Sequence, residues 1–566
     1  MIIQKQKMEF KIFLTVVLIS FVHSFTYAQS DLVATNCYFI QNATVVQKPG
    51  TVIAKTNILL RVGIIKGIGT TITPPFDAKI IKADSMFVYA AFVDAMSEAG
   101  IKKSEVKRDP NAPRPSVSNP TLEQSGVTPQ RSIVDIFKNT ETSVTDLRNV
   151  GYGVVHVMPD GQMLPGKTSV FTLSKNKTSD LAALKKDYGL YARFAVARGV
   201  SPGTMIGVMA KYRDLFRNAT AASKNQKTFD TPTAKGMARP QTSAELTALI
   251  PAAEKSQKVF FEAPKTKDIH RAIMLQKELG FDLVIAGASQ ITPMSSAIKA
   301  GNFHVIQTLK LPEEIKQDTA STVDSTKATK KKELTTEQKE FDDKKLESYK
   351  AYVAEAGNLA KMNIPFSFGT MGAKTKDVKG NLAKMIKSGL SEQAALAALT
   401  TSPAALLGVS NLVGTVEEGK LANIFITDTS YFAEKSKIKM VFVEGELFEV
   451  DNKPKSESKG NSKLDIAGAW SYEIEIPGMT QTGKMTVKKM DNGYSISVAN
   501  NASPDEVEQA TDVELSEESL SFVYSPKMGG APIRVSFKLE MEKDKFSGTV
   551  AVPQFGSFPI SGAKIP

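Results

Sequence analysis

The stretch Met86-Phe-Val-Tyr-Ala-Ala-Phe-Val-Asp-Ala-Met-Ser-Glu-Ala-Gly100 constrains the fold more than any other. Its apolar run, Met86 to Val93, ends abruptly in a polar step, Asp94 to Glu98. A run that is apolar on both faces suits a strand covered on both sides, as in a parallel sheet wrapped by helices. Polar residues at the C-terminal end of such a strand lie where α/β barrels build their sites. Similar strands recur at Val150–Pro159, Lys258–Ala263, Asp282–Ala288, Asn302–Gln307 and Pro365–Met371. Leu181 to Arg217 reads as mostly helical, and an amphipathic helix runs to Gly280. Strands alternating with helices predict a parallel α/β barrel over residues 86–405.

Shorter β-patterns flank this region. Residues 36–85 alternate apolar and polar between turn residues, as short strands do. After the barrel, Ser391 caps an amphipathic helix that ends near Gly408, and strands follow at Val413–Asp428 and Lys439–Gly445. Residues 29–85 and 406–450 are expected to pair into one composite β-sandwich. A Lys/Ser/Gly linker spans 451–465, and residues 466–566 alternate throughout, which predicts a nearly closed antiparallel barrel. Trp470, the only tryptophan, is expected to plug that core. Residues 103–131 read as a long Pro/Ser loop, and 313–350 as a charged insertion, part helix and part disorder. A chain of 566 residues suits two or three such domains.

The N-terminus predicts export. Lys5, Lys7 and Lys11 precede an apolar core, Ile12 to Phe25, and Thr26-Tyr-Ala28 makes a cleavage site. Residues 1–28 are therefore expected to be a removed signal peptide, leaving a periplasmic or secreted protein without a membrane span. Cys37 is the only cysteine, so no intramolecular disulfide can form. The net charge of +12 is dispersed and not interleaved with aromatics, which argues against a nucleic-acid partner. Gly161-Gln-Met-Leu-Pro-Gly166-Lys167-Thr168 satisfies a phosphate-loop pattern literally. That mechanism needs a helix after the loop, and Ser169-Val-Phe-Thr-Leu reads as a strand.

Several of these segments carry a family resemblance. Phe92-Val-Asp-Ala95, the Gly389–Gly408 helix and the Gly414-Thr-Val-Glu-Glu-Gly-Lys-Leu-Ala-Asn423 turn resemble the imidazolonepropionase-like amidohydrolases, over about residues 36–450. The resemblance implies an amidohydrolase-type (β/α)8 barrel with a flanking composite β-sandwich, followed by an all-β domain. It also implies an ancestor that hydrolysed C–N bonds of small amides, cyclic ureas or dipeptides at a metal centre.

The metal-binding positions that the resemblance marks are occupied here by other residues. Met96 and Glu98 stand where the first strand carries two histidines, Glu262 and Gly287 replace histidines on later strands, and Met371 replaces the catalytic Asp. Only four histidines occur in the chain: His23 in the signal, and His156, His270 and His304 beyond it. A histidine-built centre that lowers the pKa of bound water needs several of them together. The first reading is a non-catalytic protein without cofactor, which binds a small molecule or an active amidohydrolase relative and forms a homodimer as family members do. A second reading rebuilds the site from Asp94, Glu98 and Glu262, with His156 near, as an oxygen-ligand metal centre on Glu98 and Glu262. A third reading makes the C-terminal domain a ligand-binding module.

Overall fold

The computed structural model describes residues 37–102, 117–314 (without 176, 198 and 233), 335–450 and, with short gaps, 466–565. The expected signal peptide, the 451–465 linker, most of the Pro/Ser loop's first half and residues 315–334 of the charged insertion lie outside the described residues. Chain contacts divide the protein into two units, Met1–Asp451 and Asn452–Pro566.

The first unit is built on two sheets. Strands β1 (Cys37–Lys48), β2 (Thr51–Arg61), β3 (Ile64–Gly69), β4 (Lys79–Lys82) and β5 (Phe87–Ala90) form one half of a mixed sheet. Strands β14 (Ile424–Thr427), β15 (Ile438–Val443) and β16 (Glu446–Glu449) form the other, and β14 joins the halves by pairing with β5. The second sheet holds β6 (Phe92–Ser97), β7 (Tyr152–Val157), β8 (Gly166–Thr172), β9 (Ala183–Arg193), β10 (Lys258–Glu262), β11 (Asp282–Ala288), β12 (His304–Thr308) and β13 (Phe366–Gly369), side by side in chain order.

The apolar run at Met86 thus serves both sheets. Its first part is β5 in the flanking sheet and its second part is β6 in the barrel. The chain changes sheets at Ala91, whose N–H bonds Asn423 O at 2.9 Å, while the next residue, Phe92, donates to Gly151 O at 2.9 Å. The barrel closes between β6 and the end of β13, where Met371 N–H donates to Met96 O at 3.0 Å. Neighbours are parallel around the barrel except at β8, which runs antiparallel to both β7 and β9. That reversed strand follows β7 through the Gly161–Gly166 loop. A Cβ at Gly166, whose φ is +143°, would sit 2.5 Å from Arg131 O, so only glycine passes there.

Alternation along the strands separates two apolar layers. Val154, Val170, Phe260, Val284 and Ile306 fill the barrel interior. Val155, Phe171, Val259, Ile285 and Val305 face outward, and the helices cover them. The outer helices start on identifiable caps. Thr204 accepts from Gly207 N before Met205–Phe229, and Ser391 accepts from Ala394 N before Glu392–Leu399. The later part of the charged insertion forms the helix Thr336–Lys361, which opens on a full capping box of Thr335 and Gln338. Buried Glu355 on that helix accepts from Ile291 N at 3.1 Å and Thr292 N at 3.0 Å, anchoring it to the loop after β11.

One expectation fails here. Leu181–Arg217 is not mostly helical: Ala183–Arg193 is barrel strand β9, and the long helix begins only at Met205. The charged triplet Lys185-Lys-Asp187 masks the strand pattern, because β9 is fully buried only toward its end, Gly189 to Ala192.

The second unit is a curled, barrel-like antiparallel sheet of nine strands. Its core is filled by side chains. Trp470 is 0% exposed and donates its indole N–H to Ile466 O at 3.0 Å, and Phe522 stacks on Phe537 at 4.6 Å.

Candidate functional site

The C-terminal ends of the barrel strands bring most of the marked positions together at one mouth. Met96 is the penultimate residue of β6, Glu262 ends β10, Gly287 lies near the end of β11, and Met371 follows β13. The point where a Cβ on Gly287 would stand is 3.5 Å from Glu262 Cγ and 3.6 Å from Met96 Sδ. Gly287 has φ +64°, a left-handed conformation that a β-carbon disfavours. The place where the resemblance puts a histidine is therefore a glycine turn with the Met96 thioether against it.

Glu262 is bound to protein groups. Arg193 Nε donates to Glu262 Oε2 in a short ion pair, and Tyr191 Oη donates to the same oxygen at 2.8 Å. Arg193 Nη1 also donates to Gly161 O at 2.8 Å, which fixes the guanidinium over the loop between β7 and β8. Burial, then the nearby Glu262 carboxylate, pushes the Tyr191 hydroxyl well above its ordinary pKa, so it stays a donor. The Tyr191 oxygen lies 3.8 Å from Met371 Sδ. Arg193 and Tyr191 are the site residues that the sequence reading missed, because both sit on the strand read as helix.

The other expected pocket residues do not join this cluster. Asp94 is 0% exposed and inside the barrel wall. Its Oδ1 accepts from Met96 N at 3.1 Å and Thr370 N at 3.0 Å, and its Oδ2 accepts from the Thr370 hydroxyl in a short bond. Burial raises its pKa to about 6 against these stabilising bonds. Asp94 is thus a clasp between the first and last barrel strands. Glu98 lies one residue beyond β6 and is exposed.

His156 is 0% exposed within the barrel. Its Nδ1 is 2.9 Å from Ala95 O, so it carries the proton and donates there, and its Nε2 accepts from the Thr168 hydroxyl at 2.7 Å. Burial lowers its pKa to about 4, so the ring is neutral and both nitrogens are used. His304 opens β12 at the opposite end of the barrel, with Nε2 2.9 Å from Ser367 Oγ. His270 is exposed on the helix Thr266–Leu279. The phosphate-loop pattern leads into a strand, where Lys167 Nζ lies 3.6 Å from Asp187 Oδ2 and Thr168 bonds His156.

A hydrolytic divalent centre does not fit these residues. It needs imidazole nitrogens and a carboxylate that leave one position open for water. The marked positions at the mouth offer two thioethers, a glycine and a carboxylate already neutralised by Arg193. Among the described residues, no three His, Cys, Asp or Glu side chains are grouped so as to hold a metal ion.

A solved structure shares the fold, and a family model matches part of the sequence. The amidohydrolase family model matches residues 312–448. An amidohydrolase from Thermotoga maritima is 21% identical, covers 73% of this chain and 100% of its own, and superposes with a TM-score of 0.58. A prolidase complexed with N-methylphosphonate-L-proline is 15% identical over 73% of this chain and 99% of its own, at a TM-score of 0.43. No curated protein sequence matches the chain. The chain thus matches the amidohydrolase family model over residues 312–448, and its first unit has the fold of an amidohydrolase.

Proposed function

We propose that this protein is an exported, non-hydrolytic relative of the amidohydrolases, whose barrel serves as a binding scaffold for a small molecule or for an active relative. One observation supports the reading: Glu262, at a position the resemblance assigns to a metal ligand, is held by Arg193 and Tyr191, and Met371, at another such position, lies against Tyr191. Hydrolysis of an amide at neutral pH needs an activated water and an acceptor for its proton. Met371 stands at the position of that acceptor and cannot take a proton. Glu262, the one carboxylate in the cluster, is committed to a guanidinium and a phenol. The export reading rests on the basic and apolar N-terminal residues alone.

The test is turnover. Signal-free protein preincubated with Zn²⁺ or Mn²⁺ is assayed against simple amides, cyclic ureas and dipeptides. The expected result is no hydrolysis above the protein-free rate, and no difference between the wild type and Glu262→Gln. Turnover that Glu262→Gln abolishes would replace this reading with a rebuilt carboxylate site.

A further inference from the structure

Three methionines stand at the ends of neighbouring strands at the mouth. Met96 is the penultimate residue of β6, Met158 follows β7, and Met371 follows β13. These three strands are consecutive around the closed barrel. Their ends are tied at one level, since Met371 N–H donates to Met96 O at 3.0 Å and Met158 N–H donates to Ser97 O at 2.9 Å. Met96 and Met158 are 2% and 1% exposed and share one apolar cluster, and the half-buried Met371 packs against it.

We propose that these three methionines form a binding site for a soft monovalent metal ion, copper(I) in an exported protein. The proposal rests on the non-hydrolytic reading of the same mouth and assigns it a ligand. Thioether sulfur is neutral and polarisable, and it selects Cu(I) over divalent ions that prefer nitrogen and oxygen. The surroundings favour the same choice. Glu262, the nearby carboxylate, has its charge met by Arg193, so little negative field remains to hold a divalent ion. Gly287 leaves space beside Met96 Sδ where another side chain would project. Burial keeps water, a competing hard ligand, away from Met96 and Met158. Met371, being half-buried, provides the entry side.

A plain packing role for the methionines makes the opposite prediction, so binding decides. Full-length signal-free protein is titrated with Cu(I) under reducing, anaerobic conditions against a chromophoric Cu(I) chelator, and in parallel with Ag(I) as a redox-inert probe. One equivalent of each is expected, with a sulfur-dominated shell in the X-ray absorption spectrum of the copper form. The variant Met96→Leu/Met158→Leu/Met371→Leu preserves volume and is expected to bind roughly 100-fold more weakly. Met371→Leu alone touches the most exposed of the three, and it gives the same direction of change should the triple variant not fold. Absence of a bound equivalent overturns the proposal. So does affinity unchanged in the variants, which would place the ion elsewhere, as at Cys37. A shell of nitrogen and oxygen alone also overturns it. Stoichiometric Zn²⁺ would instead sink the non-hydrolytic reading, so the two failures are distinguishable.

Discussion

Asp94→Ala is expected to cost the first unit about 3–5 kcal/mol of stability, the sum of several buried donors each left unsatisfied at about 1–3 kcal/mol. The Asp94 carboxylate accepts the N–H of Met96 and both the N–H and the hydroxyl of Thr370. Alanine leaves all three donors facing a closed interior, at the seam where the barrel shuts. Part of that loss is offset, because the native carboxylate is itself penalised by burial, which is why its pKa rises to about 6. Asp94→Asn keeps one acceptor oxygen and offers an amide donor to the Thr370 hydroxyl, so a smaller loss of about 1–2 kcal/mol is expected. Urea unfolding followed by far-UV circular dichroism measures both. The only tryptophan, Trp470, belongs to the second unit, so its fluorescence separately reports that unit's unfolding. Alanine within about 0.5 kcal/mol of wild type would mean that Asp94 is not the clasp.

The second large effect is a loss of stability in acid that traces to His156. Its pKa in the fold is lowered to about 4 by burial, from an ordinary 6.5. Between those values the unfolded chain binds a proton and the folded one does not. Stability from this residue is therefore complete above pH 6.5 and is lost as pH falls toward 4, by about 3 kcal/mol. His304, lowered to about 4 by burial and by Lys258, acts in the same direction. Asp94 opposes them. Its folded pKa is raised from 3.8 to about 6, so it favours the fold as pH falls through that window. Glu355, whose pKa burial also raises, acts with Asp94, so the His156 contribution is read from its own variant. His156→Gln removes the titrating ring while keeping a donor and an acceptor for Ala95 O and Thr168. The variant's penalty relative to wild type should therefore shrink by about 3 kcal/mol between pH 7 and pH 4. A constant difference across that range would mean that His156 is not held neutral.

Much of the architecture was legible because the barrel strands are apolar on both faces. The Met86–Val93 run, the Lys258–Ala263 run and the Asp282–Ala288 run each mark a strand that the fold contains. What the pattern did not carry was direction and continuity. Ser169-Val-Phe-Thr-Leu read as a strand, but nothing in its residues says that β8 runs against its neighbours. The Met86 run read as one barrel strand, whereas Ala91 divides it between two sheets. The site was legible in part. Glu262, Gly287, Met96 and Met371 were placed at strand ends by the family resemblance, and the fold puts them there. Asp94 and His156 were expected in a pocket, yet burial uses every polar atom of both inside the barrel. Arg193 and Tyr191 had no sequence signal strong enough to overcome the charged residues before them. The short run Gly189-Leu-Tyr-Ala-Arg193, with its aromatic residue and apolar neighbours, was the trace that marked a strand end.

The central claim is that the mouth holds no hydrolytic divalent centre. Its most direct test is metal content of the signal-free protein, by elemental mass spectrometry after exposure to Zn²⁺, Mn²⁺ and Ca²⁺ and exhaustive dialysis. The account predicts occupancy near zero for all three ions, unchanged in Glu98→Gln and Glu262→Gln. One equivalent of any of them per chain, lost in either variant, would contradict it.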